Sequence, residues 1–319
     1  MTRYHQLTSG ERYALSALRK QGCSQAEIAR ALSRHPSTVS REIRRNRSKD
    51  GRYRPPVADD FSRRRRSRSR RNQRFTGEDW AMVIARLEEL WSPEQIAGRL
   101  RRMGELHISH ETIYRYVWSD KQRGGALYLL LRQAGKKRRK RYGRYDSRGR
   151  LAGKRHISAR PPGAENRSRV GHWEGDTVLG SSDKHCILTL VERKTGFVMI
   201  GKLEGRTTEA MNRRAISLLG RARRVRTITV DNGTEFHGYK DIEAATAARF
   251  FFATPHRSWE RGTSENTNGL IRQYVPKRHS MAQISQHICS RIARRLNNRP
   301  RKRLHYLTPA ECYDSSSSA

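Results

Sequence analysis

Residues 226–236 read RTITVDNGTEF, and the fold turns on the kind of element that comes after Asp231. By local rules, Asp or Asn before Gly is the strongest short signal for a β-hairpin, which would make Asp231-Asn232-Gly233 an exposed tip. A hairpin needs a second strand directly after Gly233. Instead TEFHGYK has no sustained period of two, DIEAATAA is helical in composition, and only then comes the apolar run RFFFATP at 249–255, ended by Pro255. Strand, helix, strand is a crossover, and its strands run parallel. Asp231 then sits at the carboxyl end of a buried strand, the usual place for a functional group in an open α/β sheet.

Working outward, HWEGDTVLG at 172–180, HCILTLVER at 185–193 and GFVMIGKLE at 196–204 read as three consecutive strands. Gly-Ser-Ser-Asp at 180–183 and Lys-Thr-Gly at 194–196 supply the turns between them. TTEAMNRRAISLLGRA at 207–222 is a helix, with Ala210, Arg214, Ile216 and Leu219 setting its turns, and a last helix runs from about Ser264 to Val275, stopped by Pro276. Asp176 falls in mid-strand, where β-propensity is poor and a charge is hard to place. On the last helix, Leu270, Ile271, Tyr274 and Val275 project to one side, and Glu265, Asn268, Gly269 and Arg272 to the open one. A single carboxylate is more often a cap or an ion-pair partner than a catalyst. Three that converge repel one another unless cations neutralise them, and hard oxygen ligands select Mg²⁺ or Mn²⁺. Two such ions can activate a water or a 3′-hydroxyl and stabilise the leaving oxygen of an in-line phosphoryl displacement.

The chain has 319 residues, enough for two or more domains. Its 68 Lys and Arg against 30 Asp and Glu give a formal net charge of +38, so a polyanion is the natural partner. A basic structural protein shares that charge, but the 34% apolar content falls in periodic blocks and argues against disorder. Cys23, Cys186, Cys289 and Cys312 have neither C-x-x-C nor zinc-finger spacing, which suggests a reduced interior. The N-terminus lacks an apolar signal core, ALYLLL at 126–131 is too short to span a bilayer, and no phosphate-binding G-x-x-x-x-G-K-[ST] loop supports nucleotide hydrolysis. A cytoplasmic, nucleoid-associated protein without membrane or nucleotide cofactor is expected.

One pattern occurs twice near the N-terminus, as SQAEIARAL at 24–32 and SPEQIAGRL at 92–100. Each opens with Ser at an N-cap, has Glu27 or Gln95 three residues on, and continues Ile-Ala-x-x-Leu on a helical face. A second short helix comes after each, STVSREIRRN from Ser37 and HETIYRYVW from His110. An ordinary αα-hairpin fits one copy as well as a helix-turn-helix does; two copies in so basic a chain favour DNA binding, and imply a long bipartite site. Ser37, Thr38, Ser40, Arg41, Arg44 and Arg45 then face DNA while Val39 and Ile43 pack inward, with His110, Glu111, Thr112, Tyr114 and Arg115 as the counterparts in the second module. The basic runs SRRRRSRSRRNQR at 62–74 and GKKRRKRYGRYDSRGR at 135–150 read as linkers along phosphates, a localisation signal being the competing reading.

With these residues in hand, the chain resembles bacterial insertion-sequence transposases of the IS-thirty type, in the DDE superfamily. The resemblance spans nearly the whole chain and is most specific in GHWEGDTVLG, TVDNGTEF, SWERGTSENTNGLIRQYVPK and NNRPRKRL. It implies Asp176, Asp231 and Glu265 as the catalytic and metal-binding triad, with 54 residues between the first pair and 33 between the second. It implies a multidomain chain: all-α helix-turn-helix modules, then an α/β RNase H-like, retroviral-integrase-like catalytic domain. The divisions expected are 1–60 and 76–134 for the two modules, 61–75 and 135–165 for basic linkers, 166–314 for the catalytic domain and 315–319 for a disordered tail. The implied reaction is metal-dependent cleavage of terminal inverted repeats with two Mg²⁺, or Mn²⁺ in substitution, and then transfer to target double-stranded DNA by a homodimer or larger oligomer. Arg272, Lys277 and Arg278 would grip phosphates near the cut. Where the family has Gly-x-Asn-Glu-Asn, this chain has Gly262-Thr263-Ser264-Glu265-Asn266. Trp173, Glu174, Trp259, Glu260 and Arg261 also match. Glu174 shares a strand face with Asp176 and is an alternative ligand; Trp259 reads equally as a base-stacking platform or a core tryptophan. Two rivals remain: a non-catalytic DNA-binding regulator on a dead fold, and a nuclease that cuts without joining.

Overall fold

A computed structural model describes residues 6–48, 50–69, 75–132, 153–181, 185–255, 257–277 and 279–316. The chain forms two compact units, Met1–Gly77 and Glu78–Ala319.

The first unit holds α1 (Ser9–Lys20), α2 (Gln25–Ala31), α3 (Pro36–Asn46) and α4 (Pro55–Ser69). Reciprocal capping boxes, Thr8 with Glu11 and Ser24 with Glu27, start α1 and α2. Leu15, Ile28, Ala29, Val39, Ile43, Tyr53 and Ala58 make the core, so Val39 and Ile43 pack inward as expected. The expected linker from residue 61 begins inside α4, and that expectation is corrected for residues 62–69. Charges of the run have partners: Arg64 pairs with Asp60 at 2.9 Å, Arg65 bonds the Arg45 carbonyl at 3.2 Å and the Asn46 side chain, and Arg66 bonds Gln6 at 2.8 Å, while Ser62 accepts from buried Arg12. The second basic run, 135–150, lies outside the described residues.

The second unit opens with α5 (Gly77–Glu88), α6 (Pro93–Met103) and α7 (His110–Gln122). Ser92 and Gln95 close the expected capping box, and Ile113 and Val117 face inward. This module is tied to the C-terminal part of the same unit. Arg99 forms a two-pronged pair with Glu311 at 2.6 and 3.0 Å, Gln95 accepts from buried Arg299, and Glu94 pairs with Lys302. Nor is 153–165 a linker: it holds a 3-10 turn and α8 (Pro162–Glu165), and His156 bridges Phe252 alongside the sheet.

The sheet contains β1 (His172–Leu179), β2 (Cys186–Glu192), β3 (Val198–Leu203), β4 (Thr227–Val230) and β5 (Arg249–Phe252) in the order β3-β2-β1-β4-β5. β1, β2 and β3 pair antiparallel; β4 runs parallel to β1, and β5 parallel to β4. This is the mixed RNase H-like sheet, and the crossover reading of Asp231 holds. One face packs Trp173, Leu188, Leu190, Ile228 and Phe250 under α9 (Thr208–Leu219) and α10 (Tyr239–Thr246). The other packs Val178, Ile187 and Ile200 under α11 (Gly262–Ile271) and α12 (Gln286–Asn297), and α13 (Pro309–Ser315) closes the described chain. α11 ends at Ile271, a turn earlier than the sequence suggests, with Arg272 as its C-cap. Among the described residues no helix is long and apolar enough to cross a membrane.

Candidate active site

Asp176 faces the α11 side of β1, directly opposite Thr189 of β2. The Thr189 hydroxyl donates to the Asn268 amide oxygen at 3.3 Å, which leaves the Asn268 nitrogen to donate to Asp176 Oδ2 at 2.7 Å. Asp231 comes directly after the last residue of β4, and its Oδ1 accepts from the Gly233 N–H at 2.9 Å, closing an Asx turn. Gly233 has φ −61°, so it is not there for the left-handed backbone of a hairpin tip. A Cβ at this position would lie 2.5 Å from Glu235 Oε2 and 3.0 Å from Asp231 Oδ1. The glycine allows close approach of two carboxylates. Glu235, buried, accepts from Thr177 at 2.8 Å and from Arg206, and so ties the turn after β4 to the residue beside Asp176.

Arg261 joins the two aspartates. Its Nη1 lies 3.3 Å from Asp176 Oδ1, its Nη2 3.3 Å from Asp231 Oδ2, and it donates to the Gly175 carbonyl at 3.2 Å. The side chains are 17%, 32% and 11% exposed for Asp176, Asp231 and Arg261. Burial pushes the Asp176 carboxyl above its ordinary value; Arg261 pulls it back, and the charge of Asp231 pushes with burial. Burial opposes the Arg261 charge, but Asp176 and Asp231 outweigh it and hold the guanidinium above its usual value. The corner is built to keep positive charge between two carboxylates.

Glu265 is exposed on the first turn of α11. It precedes Asn268 by three positions and shares its helix face. Among the described residues no group of three or more His, Cys, Asp or Glu side chains is gathered to hold a metal. The structure therefore brings Asp176 and Asp231 together and leaves Glu265 at the rim. Glu174 is corrected as an alternative ligand: fully buried, it is bound to Arg193 and accepts from the Ser264 N–H at 2.8 Å. Ser264, standing where the family pattern has Asn, is itself buried against that carboxylate.

Trp259 is 69% exposed on the 3-10 turn that carries Arg261, so the core reading fails, whereas Trp173 of β1 is buried. Arg272 does not stand free: its Nη2 donates to the Leu179 carbonyl at 2.8 Å, and its Nη1 is buried without a hydrogen-bond partner among the described residues. Lys277 is exposed, and Arg278 lies outside the described residues. In the modules, Ser40, Arg41, Arg44, Arg45, His110, Glu111, Tyr114 and Arg115 are exposed, and Ser37, Thr38 and Thr112 half-buried. Sequence reasoning gives no role to Arg261, Asn268 or Glu235; the signal for Arg261 is its place in the SWERG run.

Two family models match. One, a helix-turn-helix domain, covers residues 3–46, and one, a homeodomain-like domain, covers 38–117. The chain is 40% identical to the transposase for insertion sequence element IS4351 of Bacteroides fragilis, over 96% of this chain and 94% of the relative. It is 36% identical to the transposase for IS1086 of Cupriavidus metallidurans, over 97% and 94%, and 37% identical to the transposase InsI for IS30A of Escherichia coli, over 96% and 82%. A chain of a simian T-cell lymphotropic virus intasome is similar at TM-score 0.38 and 16% identity, over 45% of this chain and 54% of that one.

Proposed function

The chain belongs to the IS30-type family of insertion-sequence transposases, and on that premise we propose that Asp176, Asp231 and Glu265 form the metal site at which it cuts and joins DNA. The observation that carries the reading is the shared guanidinium: two carboxylates with 54 residues between them, on neighbouring parallel strands, converge on one cation. Oxygen donors of this kind fit Mg²⁺, or Mn²⁺ in its place, and two ions per site are proposed. When bound, the ions activate the attacking hydroxyl and stabilise the leaving oxygen.

The chain's own residues set the geometry. Asn268, oriented by Thr189, fixes one oxygen of Asp176, and the Asx turn at Gly233 fixes one of Asp231, so each carboxylate turns its other oxygen to Arg261. Glu265 joins by a change of rotamer from the same face of α11. Arg261 then gives up its place between the carboxylates and becomes available to a phosphate oxygen. A water attacks the phosphorus at the element's end and frees its 3′-hydroxyl; that hydroxyl attacks a target phosphodiester and expels a target 3′-oxygen. The exposed arginines of α3 and the side chains of α7 read the terminal inverted repeats, and exposed Trp259 stacks on a base unpaired at the cut. Joining two ends calls for at least a dimer.

The test uses DNA from the ends flanking the gene, Mg²⁺, and wild type beside Asp231→Asn. Wild type should cleave and join while the variant binds the ends and yields no product. Joining at the wild-type rate by Asp231→Asn would refute the site.

A further inference from the structure

Lys154 lies in the stretch whose sequence reads as a basic linker, yet its ammonium is built into the sheet end beside Asp231. It donates to the Asn232 side-chain oxygen at 3.0 Å and sits over the Phe252 ring, 4.9 Å from its centroid. Asn232 is itself held, because its amide nitrogen donates to the Ala253 carbonyl at 2.8 Å. The segment is anchored too: the Arg155 carbonyl accepts from Phe252 N–H at 2.9 Å, and His156 pairs with Phe252 and bonds Thr254. Asn232, the Phe252 ring and the anchored residues 155–156 therefore hold a lysine that would otherwise be a mobile surface charge. Burial pulls its pKa down, and the Asp231 carboxylate pulls it back up.

We propose that Lys154 is a substrate-binding residue of the active site, holding a non-bridging oxygen of a DNA phosphate next to the one being cut. An ammonium has three donors, and Asn232 accepts one. Asp231 gives it a counter-charge that metal ions would claim, which releases Lys154 toward an incoming anion. Its ordered stem means that little side-chain entropy is lost when the phosphate arrives. The inference rests on the transposase reading and adds to it a contact outside the triad, the helix-turn-helix modules and the Arg272–Arg278 stretch.

The experiment compares wild type, Lys154→Gln and Lys154→Arg on end DNA. Glutamine can still donate to Asn232 but carries no charge; arginine restores the charge. Lys154→Gln should lose about 10- to 100-fold in product, the span of one charge-assisted hydrogen bond, and Lys154→Arg should recover part of it. End binding is measured against monovalent salt concentration at a fixed Ca²⁺ concentration, an ion that takes the same oxygen ligands and so occupies Asp231, and the slope of log K on log [salt] should fall by about 0.9 in Lys154→Gln. A scan of single neutral methylphosphonates along the end then identifies the partner: neutralising it weakens wild type and does not weaken Lys154→Gln further. If Lys154→Gln fails to fold, Lys154→Met, which keeps the aliphatic stem over Phe252, replaces it in all three readouts. An unchanged salt slope, with every methylphosphonate additive to the substitution, would reduce Lys154 to a structural counter-ion and overturn the proposal. Failure of the wild type to make product on unmodified ends would instead strike the transposase reading itself.

Discussion

Glu174 and Asp176 stand two residues apart on one strand, facing the same helix, and their surroundings could hardly differ more. Glu174 is fully buried, with Arg193 on one oxygen and the Ser264 N–H on the other; Arg193 is held in turn by the Ala164 carbonyl at 2.8 Å. Both carboxylate oxygens there have a partner inside the chain, which is how a buried charge becomes structural. Asp176 has its cation at longer range, keeps part of its surface exposed, and shares that cation with a carboxylate from another strand. A closed ion pair holds the fold together, and an open, over-acidic corner is available for chemistry. Residue type, strand face and the number of partners do not separate the two, since both oxygens of Asp176 are bonded as well; the range of the cation, its sharing with Asp231 and the exposure of the side chain do.

That contrast can be broken by substitution. The largest effect is expected for Asp176→Asn and Asp231→Asn, which should lower joined product by on the order of 10³-fold or more while leaving the unfolding free energy near that of wild type. Loss of fold along with activity would erase the distinction from Glu174. Next, Glu174→Ala leaves the Arg193 guanidinium buried without its carboxylate and should destabilise the second unit by about 3–5 kcal/mol, read from urea denaturation. A cost under about 1 kcal/mol would show the pair to be dispensable. Trp259→Ala should cost about 1–3 kcal/mol in the product-forming step and leave stability unchanged, with Trp259→Phe recovering much of the loss; a drop in stability would mean that the exposed ring is structural after all.

The smallest effect concerns pH. His172 opens the same strand, buried and bonded to the Thr227 hydroxyl at 2.8 Å, and burial together with nearby arginines holds its pKa down at about 4 against 6.5. Its neutral form is the folded one, so the unfolded chain takes up the proton first. Stability is therefore complete above pH 6.5 and declines as pH falls from there toward 4. Denaturation at about pH 7 and about pH 5, on either side of the ordinary histidine range, should show a smaller difference for His172→Gln than for wild type; an equal difference would remove His172 as the cause.

Much of the fold is legible in the sequence. The parallel crossover at Asp231 comes from the absence of a strand after Gly233, and the inward faces of α3 and α7 come from helical period. The misses share one cause. Residues 62–69 and 153–165 read as linkers because charge and Pro-Gly content suggest solvation, but Asn46 and the Arg45 carbonyl hold Arg65, buried Arg12 reaches Ser62, and pairing with Phe252 draws Lys154 and His156 onto the sheet. Such partners are distant in sequence. The same limit hides Arg261 as the link between the aspartates and places Arg272 in solvent, when it bonds the end of β1. α12 has no counterpart among the elements expected from the sequence, although Cys289, Ile292, Ala293 and Leu296 recur at helical spacing and form its buried face.

The most direct test is the unfolding temperature as a function of Mg²⁺ concentration for wild type, Asp176→Asn and Asp231→Asn. A ligand that binds only the folded chain raises its stability by RT ln(1 + [L]/Kd), whatever the state of the DNA substrate. The two aspartates, if they form the metal site, should give a rise in wild type that is lost in both variants. An equal rise in all three proteins would place the metal elsewhere and contradict the assignment.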